Sequence, residues 1–434
     1  MKELMLYLHV PFCVRKCNYC DFLSAVHTQE TIEKYVKALC MEVRERGREY
    51  SGRTVTSIFF GGGTPSLLLP AQISEIMEAL RETFPVVPDA EITMECNPGT
   101  IKTHGEQEGE SSQENADGEE LQGNSGGESS LGNADGEELQ GNSGSESSQG
   151  KTTEAERLSG YQKAGINRLS IGLQSANDEE LVLLGRIHDY DAFLQTYRAA
   201  RAAGFSNVSI DLMNALPGQT LDSWKETLEK VLALKPMPEH LSVYSLIMEE
   251  GTRFFGWNRE GKFTGRLQIP SEELDREMYA YTGKRLREAG FEQYEISNYA
   301  RDGYECRHNY GYWTRKEYLG LGLGAASLLD ETRYSNETDM ANYLRDPLAG
   351  RTSQKLSKKE QMEEFLFLGL RTCRGVKRKD FYEHFGERMD QYWLAVIRKN
   401  AADGLLLDDG EGIRLTAKGM DLSNYVSAQF LLEE

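Results

Sequence analysis

The first half of the chain alternates short apolar runs with amphipathic stretches of helical period. Runs at Leu4–Val10, Val55–Phe60, Ile92–Glu95, Arg168–Gly172, Val208–Leu212 and His240–Leu246 predict strands. Between them, Thr31–Arg46, Ala71–Phe84, Tyr190–Gly204 and Leu221–Leu234 place apolar residues along one helix face. Strand–helix alternation of this kind predicts an α/β fold with a parallel sheet and right-handed crossovers, either open and doubly wound or curled into a barrel.

Polar residues at the strand ends favour the barrel. Cysteines follow the first strand, Gly61-Gly62-Gly63-Thr64-Pro65 the second, and Glu95-Cys96-Asn97-Pro98 lies at the third; Gln174 follows the fourth and Asp211 ends the fifth. In a parallel barrel all carboxyl ends face one rim, which hosts the site, whereas an open sheet gathers fewer strand ends at its switch point. Six strands predict a partial (β/α)6 TIM-like barrel over residues 1–250. Residues 251–351 are rich in aromatics and read as a barrel extension, with Tyr294-Glu295-Ile296-Ser297-Asn298-Tyr299 and Cys306-Arg307-His308-Asn309-Tyr310-Gly311-Tyr312-Trp313. Residues 352–434 read as a mostly helical, winged-helix-like C-terminal domain ending in a strand pair, Gly404–Leu407 and Ile413–Thr416. Such modules often bind DNA, but Lys377-Arg378-Lys379 is a weak basic signal, so a structural lid is the expectation.

One tract breaks the pattern. From 104 to 150 an eighteen-residue unit repeats, starting at Glu110-Ser111-Ser112-Gln113 and returning at Glu128-Ser129-Ser130-Leu131 and Glu146-Ser147-Ser148-Gln149. With one or two Leu per full unit it buries too little to offset backbone ordering, and is expected to be a disordered acidic insertion in a surface loop. It holds twelve acidic residues and no Lys or Arg, so more than half of the formal net charge of −20 sits there. An acidic chain argues against a general nucleic-acid or anionic-membrane surface. No apolar run approaches the roughly 20 residues that span a bilayer, so a soluble, cytoplasmic protein without membrane insertion is expected.

The candidate chemistry centres on Cys13, Cys17 and Cys20. Spacings of three and two intervening residues let one tight loop present three thiolates to an iron–sulfur cluster. A zinc knuckle would ask for a second CxxC pair, which is missing. Seven cysteines, an odd number in a large chain, fit a disulfide framework poorly. No fourth cysteine follows nearby, so one iron would be open to a small ligand.

CVRKCNYC, FFGGGTPS, MECNPGT, RLSIGLQS, IDLMNALPGQ, YEISNYA and CRHNYGYW together resemble the HemW heme-chaperone type of radical S-adenosylmethionine protein, related to oxygen-independent coproporphyrinogen III oxidases. The resemblance covers nearly the whole chain outside the repeat. It implies that Cys13, Cys17 and Cys20 hold a 4Fe-4S cluster whose fourth iron takes S-adenosylmethionine. It also implies S-adenosylmethionine contacts at Tyr7, Tyr19, Gly62, Gly63, Thr64, Glu95, Gln174, Arg186, Asp211 and Ile247. The segment from His308 to Trp313 matches the HNxxYW pattern linked in the family to heme, with His308 as the candidate ligand; a buried histidine bonded among aromatics is the plainer reading of the same residues.

The implied partners are heme, a heme-acceptor protein and a reductant such as flavodoxin or ferredoxin. The related oxidases carry a further cysteine two places beyond the triad, where this chain has Phe22. That difference favours a heme carrier over a radical enzyme acting on a tetrapyrrole. Both readings stand at this point, and with them the question whether the chain is an enzyme.

Overall fold

The computed structural model describes residues 2–100 and 153–432, and the repeat at 104–150 lies outside the described residues. Six strands form the centre: β1 (Lys2–Val10), β2 (Arg53–Gly62), β3 (Val86–Cys96), β4 (Arg168–Gln174), β5 (Val208–Asn214) and β6 (His240–Ser245). They pair in chain order, every pair parallel. All six predicted strands are present. β3 begins earlier than expected, because its first turn of sequence, Val86-Val87-Pro88-Asp89, interrupts the apolar run that marks its buried half.

Six short strands lengthen this sheet at both margins: β7 (Glu292–Gln293), β8 (Asn298–Ala300), β9 (Tyr318–Leu321), β10 (Ala326–Leu329), β11 (Thr332–Ser335) and β12 (Thr352–Lys355). β9 pairs parallel with β1, and β10, β11 and β12 follow antiparallel. On the other side β8 pairs antiparallel with β6, and β7 with β8. The free edges of β1 and β6 are thus taken by other strands instead of by each other, and the barrel is partial.

Helices α1 (Gln29–Glu49), α2 (Pro70–Thr83), α3 (Glu154–Ala164), α4 (Asp178–Leu183), α5 (Tyr190–Ala202) and α6 (Leu221–Leu232) accompany the six central strands. Side chains alternate across a strand, and β4 shows what this does. Leu169, Ile171 and Leu173 are fully buried in the main core. Arg168, Ser170, Gly172 and Gln174 line the lumen cavity. β5 does likewise, with Ile210 and Leu212 in the core and Asp211 in the lumen. The strands therefore send their apolar side chains to the shared core and keep a polar interior. Trp224 of α6 anchors the outer layer, its indole N–H donating to Thr282 Oγ1 at 2.9 Å on helix Glu272–Glu288.

The C-terminal portion has its own core, in which Leu366, Phe381, Trp393, Ile397 and Phe430 are buried. Strands β13 (Val376–Lys377), β14 (Leu406–Asp408) and β15 (Gly412–Leu415) form a sheet of order β13-β15-β14, packed with helices Lys358–Leu370, Arg378–Phe385 and Asp390–Ala402. Arg378, the centre of the basic triplet, donates from Nε to Asp390 Oδ1 at 3.0 Å and from Nη1 to Asp408 Oδ1 at 2.8 Å. Its charge is neutralised inside the module. Among the described residues no helix is long and apolar enough to cross a membrane.

Candidate functional site

The cysteine loop leaves β1 and is pinned by backbone bonds to distant elements. Cys13 N donates to Ala25 O at 3.0 Å, Asn18 N to Leu184 O at 3.0 Å, and Phe254 N to Asn18 O at 2.9 Å. Arg15 reaches across, its Nη2 donating to Gly185 O at 2.8 Å. Cys13, Cys17 and Cys20 are free thiols, partly exposed, and line one cavity of about 350 Å³ at the carboxyl ends of the central strands. Two donors aim at sulfur: Thr64 Oγ1 lies 3.6 Å from Cys13 Sγ and Arg186 Nη1 lies 3.7 Å from Cys17 Sγ. Both sulfurs are thus held in place by side chains that would flank a metal ligand.

The rim beside the loop is built from backbone. Gly62 has φ +108°, and a Cβ there would sit 2.4 Å from the His9 ring. A Cβ on Gly63 would meet Phe12 O at 2.7 Å. Neither position tolerates a side chain, so main-chain groups border the cavity directly. Gly62 N donates to Glu95 Oε2 at 3.1 Å, and Thr64 N to Phe12 O at 2.7 Å. Asn97 ties the two sides together: its Nδ2 donates to Thr64 Oγ1 at 2.9 Å, and its Oδ1 accepts from Arg186 Nη2 at 2.6 Å. Arg186 also donates to Gly172 O at 2.7 Å, while its buried Nε has no partner. Gln174, where β4 ends in a register shift, takes φ 72°, a conformation costly for a residue with a side chain.

Deeper in the lumen, Asp211 accepts from Ser170 Oγ at 2.9 and 3.1 Å and from Ser209 Oγ at 3.3 Å. Burial raises the Asp211 carboxyl above its ordinary value despite these bonds. Burial, with the Asp211 charge added, pushes Glu95 up to about 8. Folding therefore retains a proton that the unfolded chain releases above its usual 4.5. The stability this contributes is complete below about pH 4.5 and is lost as pH rises through about 8. Glu95→Gln keeps the shape without the charge. In thermal unfolding of protein without added S-adenosylmethionine, the variant should gain on the wild type steadily from about pH 5 to about pH 9. A pH-independent difference would assign Glu95 an ordinary carboxyl.

Most of the expected residues meet here. Tyr19, Gly62, Gly63, Thr64, Glu95, Gln174, Arg186 and Asp211 line the same cavity as the three cysteines. Tyr7 and Ile247 stand outside that lining. Tyr7 bonds His9 Nδ1 through its hydroxyl at 3.1 Å and stacks on Phe59, and Ile247, beyond the end of β6, is 68% exposed. His308 is fully buried, with Ser57 Oγ 2.9 Å from Nδ1, Tyr312 OH 3.0 Å from Nε2, and Phe59 stacked on the ring. Burial pushes its imidazole down to about 3, so the ring is neutral. Its neighbour Asn309 lines the cavity instead. Asn97, Arg168, Ser170 and Asn309 are cavity residues that motif reading missed. The alternation along β4 could have found Arg168 and Ser170, which share the strand face of Gln174.

The Radical SAM superfamily profile matches residues 7–110 and 142–231, and the HemN C-terminal domain profile matches 356–422. Heme chaperone HemW of Bacillus subtilis is 31% identical over 433 residues, covering 98% of this chain and 99% of that protein. Heme chaperone HemW of Lactococcus lactis is 32% identical, covering 99% and 97%. The chain belongs to the HemW family of radical S-adenosylmethionine proteins. A mouse relative, mitochondrial radical S-adenosyl methionine domain-containing protein 1, is 32% identical, covering 96% of this chain and 84% of that protein. Among solved structures, coproporphyrinogen III oxidase (HemN) from Escherichia coli superposes with a TM-score of 0.75 over 99% of this chain and 90% of that one. At 24% identity that likeness establishes the fold.

Membership in this HemW family of the superfamily brings a 4Fe-4S cluster and S-adenosylmethionine. The site fits them. Three free thiols share one cavity, two side chains donate to their sulfurs, and a glycine turn with no room for Cβ atoms borders it. Among the described residues no three His, Cys, Asp or Glu side chains converge as a single-ion site would need. A cuboidal cluster takes one thiolate per iron and asks for no such convergence.

Proposed function

We propose that the chain binds heme and passes it to an acceptor protein, with the cluster and exchangeable S-adenosylmethionine at the mouth of the barrel. The observation that carries this reading is end-to-end kinship with proteins named heme chaperones, together with Phe22 at the position where the related oxidases have a further cysteine. Phe22 is 58% exposed and lines the cavity beside the three thiols, so a phenyl ring occupies that place at the mouth.

Cys13, Cys17 and Cys20 would hold the cluster, which with S-adenosylmethionine supplies one-electron chemistry. Arg186 and Thr64 steady the thiolates by hydrogen bonding, and Asn97 holds both donors in place. Gly62 and Gly63 let the backbone approach the cofactor, while Glu95 and Gln174 at strand ends and Asp211 from the middle of β5 offer it polar contacts. Tyr19 supplies stacking surface, and Tyr7 and Ile247 complete the set on the strength of the resemblance. For heme, His308 is the candidate ligand from the HNxxYW segment. Ligation through either ring nitrogen requires giving up Ser57 or Tyr312. A flavodoxin or ferredoxin is the reductant class proposed, and the cytoplasm the compartment.

The test uses anaerobically prepared protein carrying its cluster. Heme titration followed by absorbance should saturate, and an apo-acceptor added afterwards should take the heme. Coproporphyrinogen III, incubated with the same sample and a reductant, should yield no vinyl product. Conversion of the porphyrinogen without heme binding would overturn the proposal in favour of an oxidase.

A further inference from the structure

Arg168 opens β4 and is 1% exposed, yet its Nε has no partner and its guanidinium forms no ion pair among the described residues. The nearest acids are committed elsewhere. Glu91 accepts the backbone N–H of Arg307 and of His308, each at 3.0 Å, and Asp211 is held by Ser170 and Ser209. Thr93, which faces Arg168 across the β3–β4 register, is fully buried with its hydroxyl also unpartnered. Asn309 opens onto the cavity that Arg168 lines, and its carboxamide bonds to no described residue.

Arg168 of β4 and Asn309 of helix Arg307–Trp313 thus meet at one lumen with these polar groups uncommitted, and the unpartnered Thr93 hydroxyl lies beside Arg168 on the neighbouring strand. A buried guanidinium without an anion is strongly disfavoured, and a buried hydroxyl without a partner adds to the cost. Both cavity groups can donate. A guanidinium fork matches a carboxylate in geometry as well as charge. Arg168 begins β4 and Gln174 ends it, roughly 20 Å apart along the strand, so this pair is set apart from Gln174, with Asp211 between them in depth. We propose that Arg168 and Asn309 form a carboxylate-binding subsite at the deep end of the barrel lumen, which takes either a small free carboxylate or the propionate arm of a porphyrin. The subsite stands independently of the heme-transfer reading.

The experiment uses the full chain with its cluster and S-adenosylmethionine, and three probes: propionate, a free-base porphyrin dicarboxylic acid, and the dimethyl ester of that porphyrin. A rise in thermal midpoint with propionate, while diacid and diester bind alike, identifies a small carboxylate as the ligand. Preference for diacid over diester by about tenfold or more in fluorescence titration identifies the porphyrin arm. Whichever response the wild type gives should fall at least about tenfold in Arg168→Gln and in Asn309→Asp, which sets a like charge beside the ligand. Asn309 has no internal bond to lose, so its variant decides the matter even where Arg168→Gln fails to fold. A propionate response from protein that binds neither porphyrin would sink the heme reading and leave the subsite standing. Absence of both wild-type responses, or their survival in Asn309→Asp, would overturn the subsite.

Discussion

Cys17→Ser, prepared without oxygen and supplied with iron and sulfide, should come off the column nearly colourless, with iron falling from about four per chain to well below one. Cys13→Ser and Cys20→Ser should behave alike, because a loop offering three ligands to a four-iron cube has none to spare. Cys373→Ser is the control. Cys373 packs against the C-terminal core, its backbone N–H reaches Tyr294 O at 3.0 Å, and it does not line the cavity of the three thiols. Its replacement should leave iron content and the visible charge-transfer absorption as they are in the wild type. Iron loss from the Cys373 variant, or full iron in any one of the three loop variants, would mean that the cluster sits elsewhere.

His308→Ala should lower the stability of the folded chain by about 3 kcal/mol, measured by denaturant unfolding. The substitution removes a fully buried ring stacked on Phe59 and leaves the hydroxyls of Ser57 and Tyr312 without their shared partner. The absorption spectrum of bound heme in the folded fraction separates the two roles open to this residue. A ring that only braces helix Arg307–Trp313 against β2 leaves the spectrum unchanged when it is lost. A displaced heme band would show that the imidazole leaves Ser57 or Tyr312 to meet iron. Tyr312→Phe, which frees Nε2 and keeps the ring packing, should then strengthen heme binding, and if the role is bracing it should alter stability alone.

The barrel was legible because its strands announce themselves twice, as short apolar runs and as the residues that follow them. Cys13, Gly62, Glu95 and Gln174 all stand at or beyond strand ends, and parallel topology brings such ends to one rim, while Asp211 lies mid-way along β5, which runs two residues past the expected end. The sheet margins were less readable. β7 to β12 are two to four residues long, too short for a period of two to stand out, and they owe their place to the open edges of β1 and β6. α4, six residues long, escaped for the same reason. The site was readable where motif residues are themselves lumen residues. In the HNxxYW segment, helical geometry turns His308 into the packing and its neighbour Asn309 towards the cavity, a division that the order of residues alone does not display. Arg168 was hidden for another reason. In a strand that reads Arg-Leu-Ser-Ile-Gly-Leu-Gln, alternation puts the leading arginine on the face of Gln174, but at a strand start it looks like an exposed terminus, and the register shows it enclosed.

The bridge through Asn97, joining the turn that touches Cys13 to the arginine that touches Cys17, ties the fate of the polypeptide to mineral supply. Anything that binds the native form alone deepens its energy well in proportion to the logarithm of availability. Molecules filled with their inorganic centre should resist proteolysis longer than empty ones. A cell starved of iron or sulfide would then hold less of this protein, with no change in its synthesis.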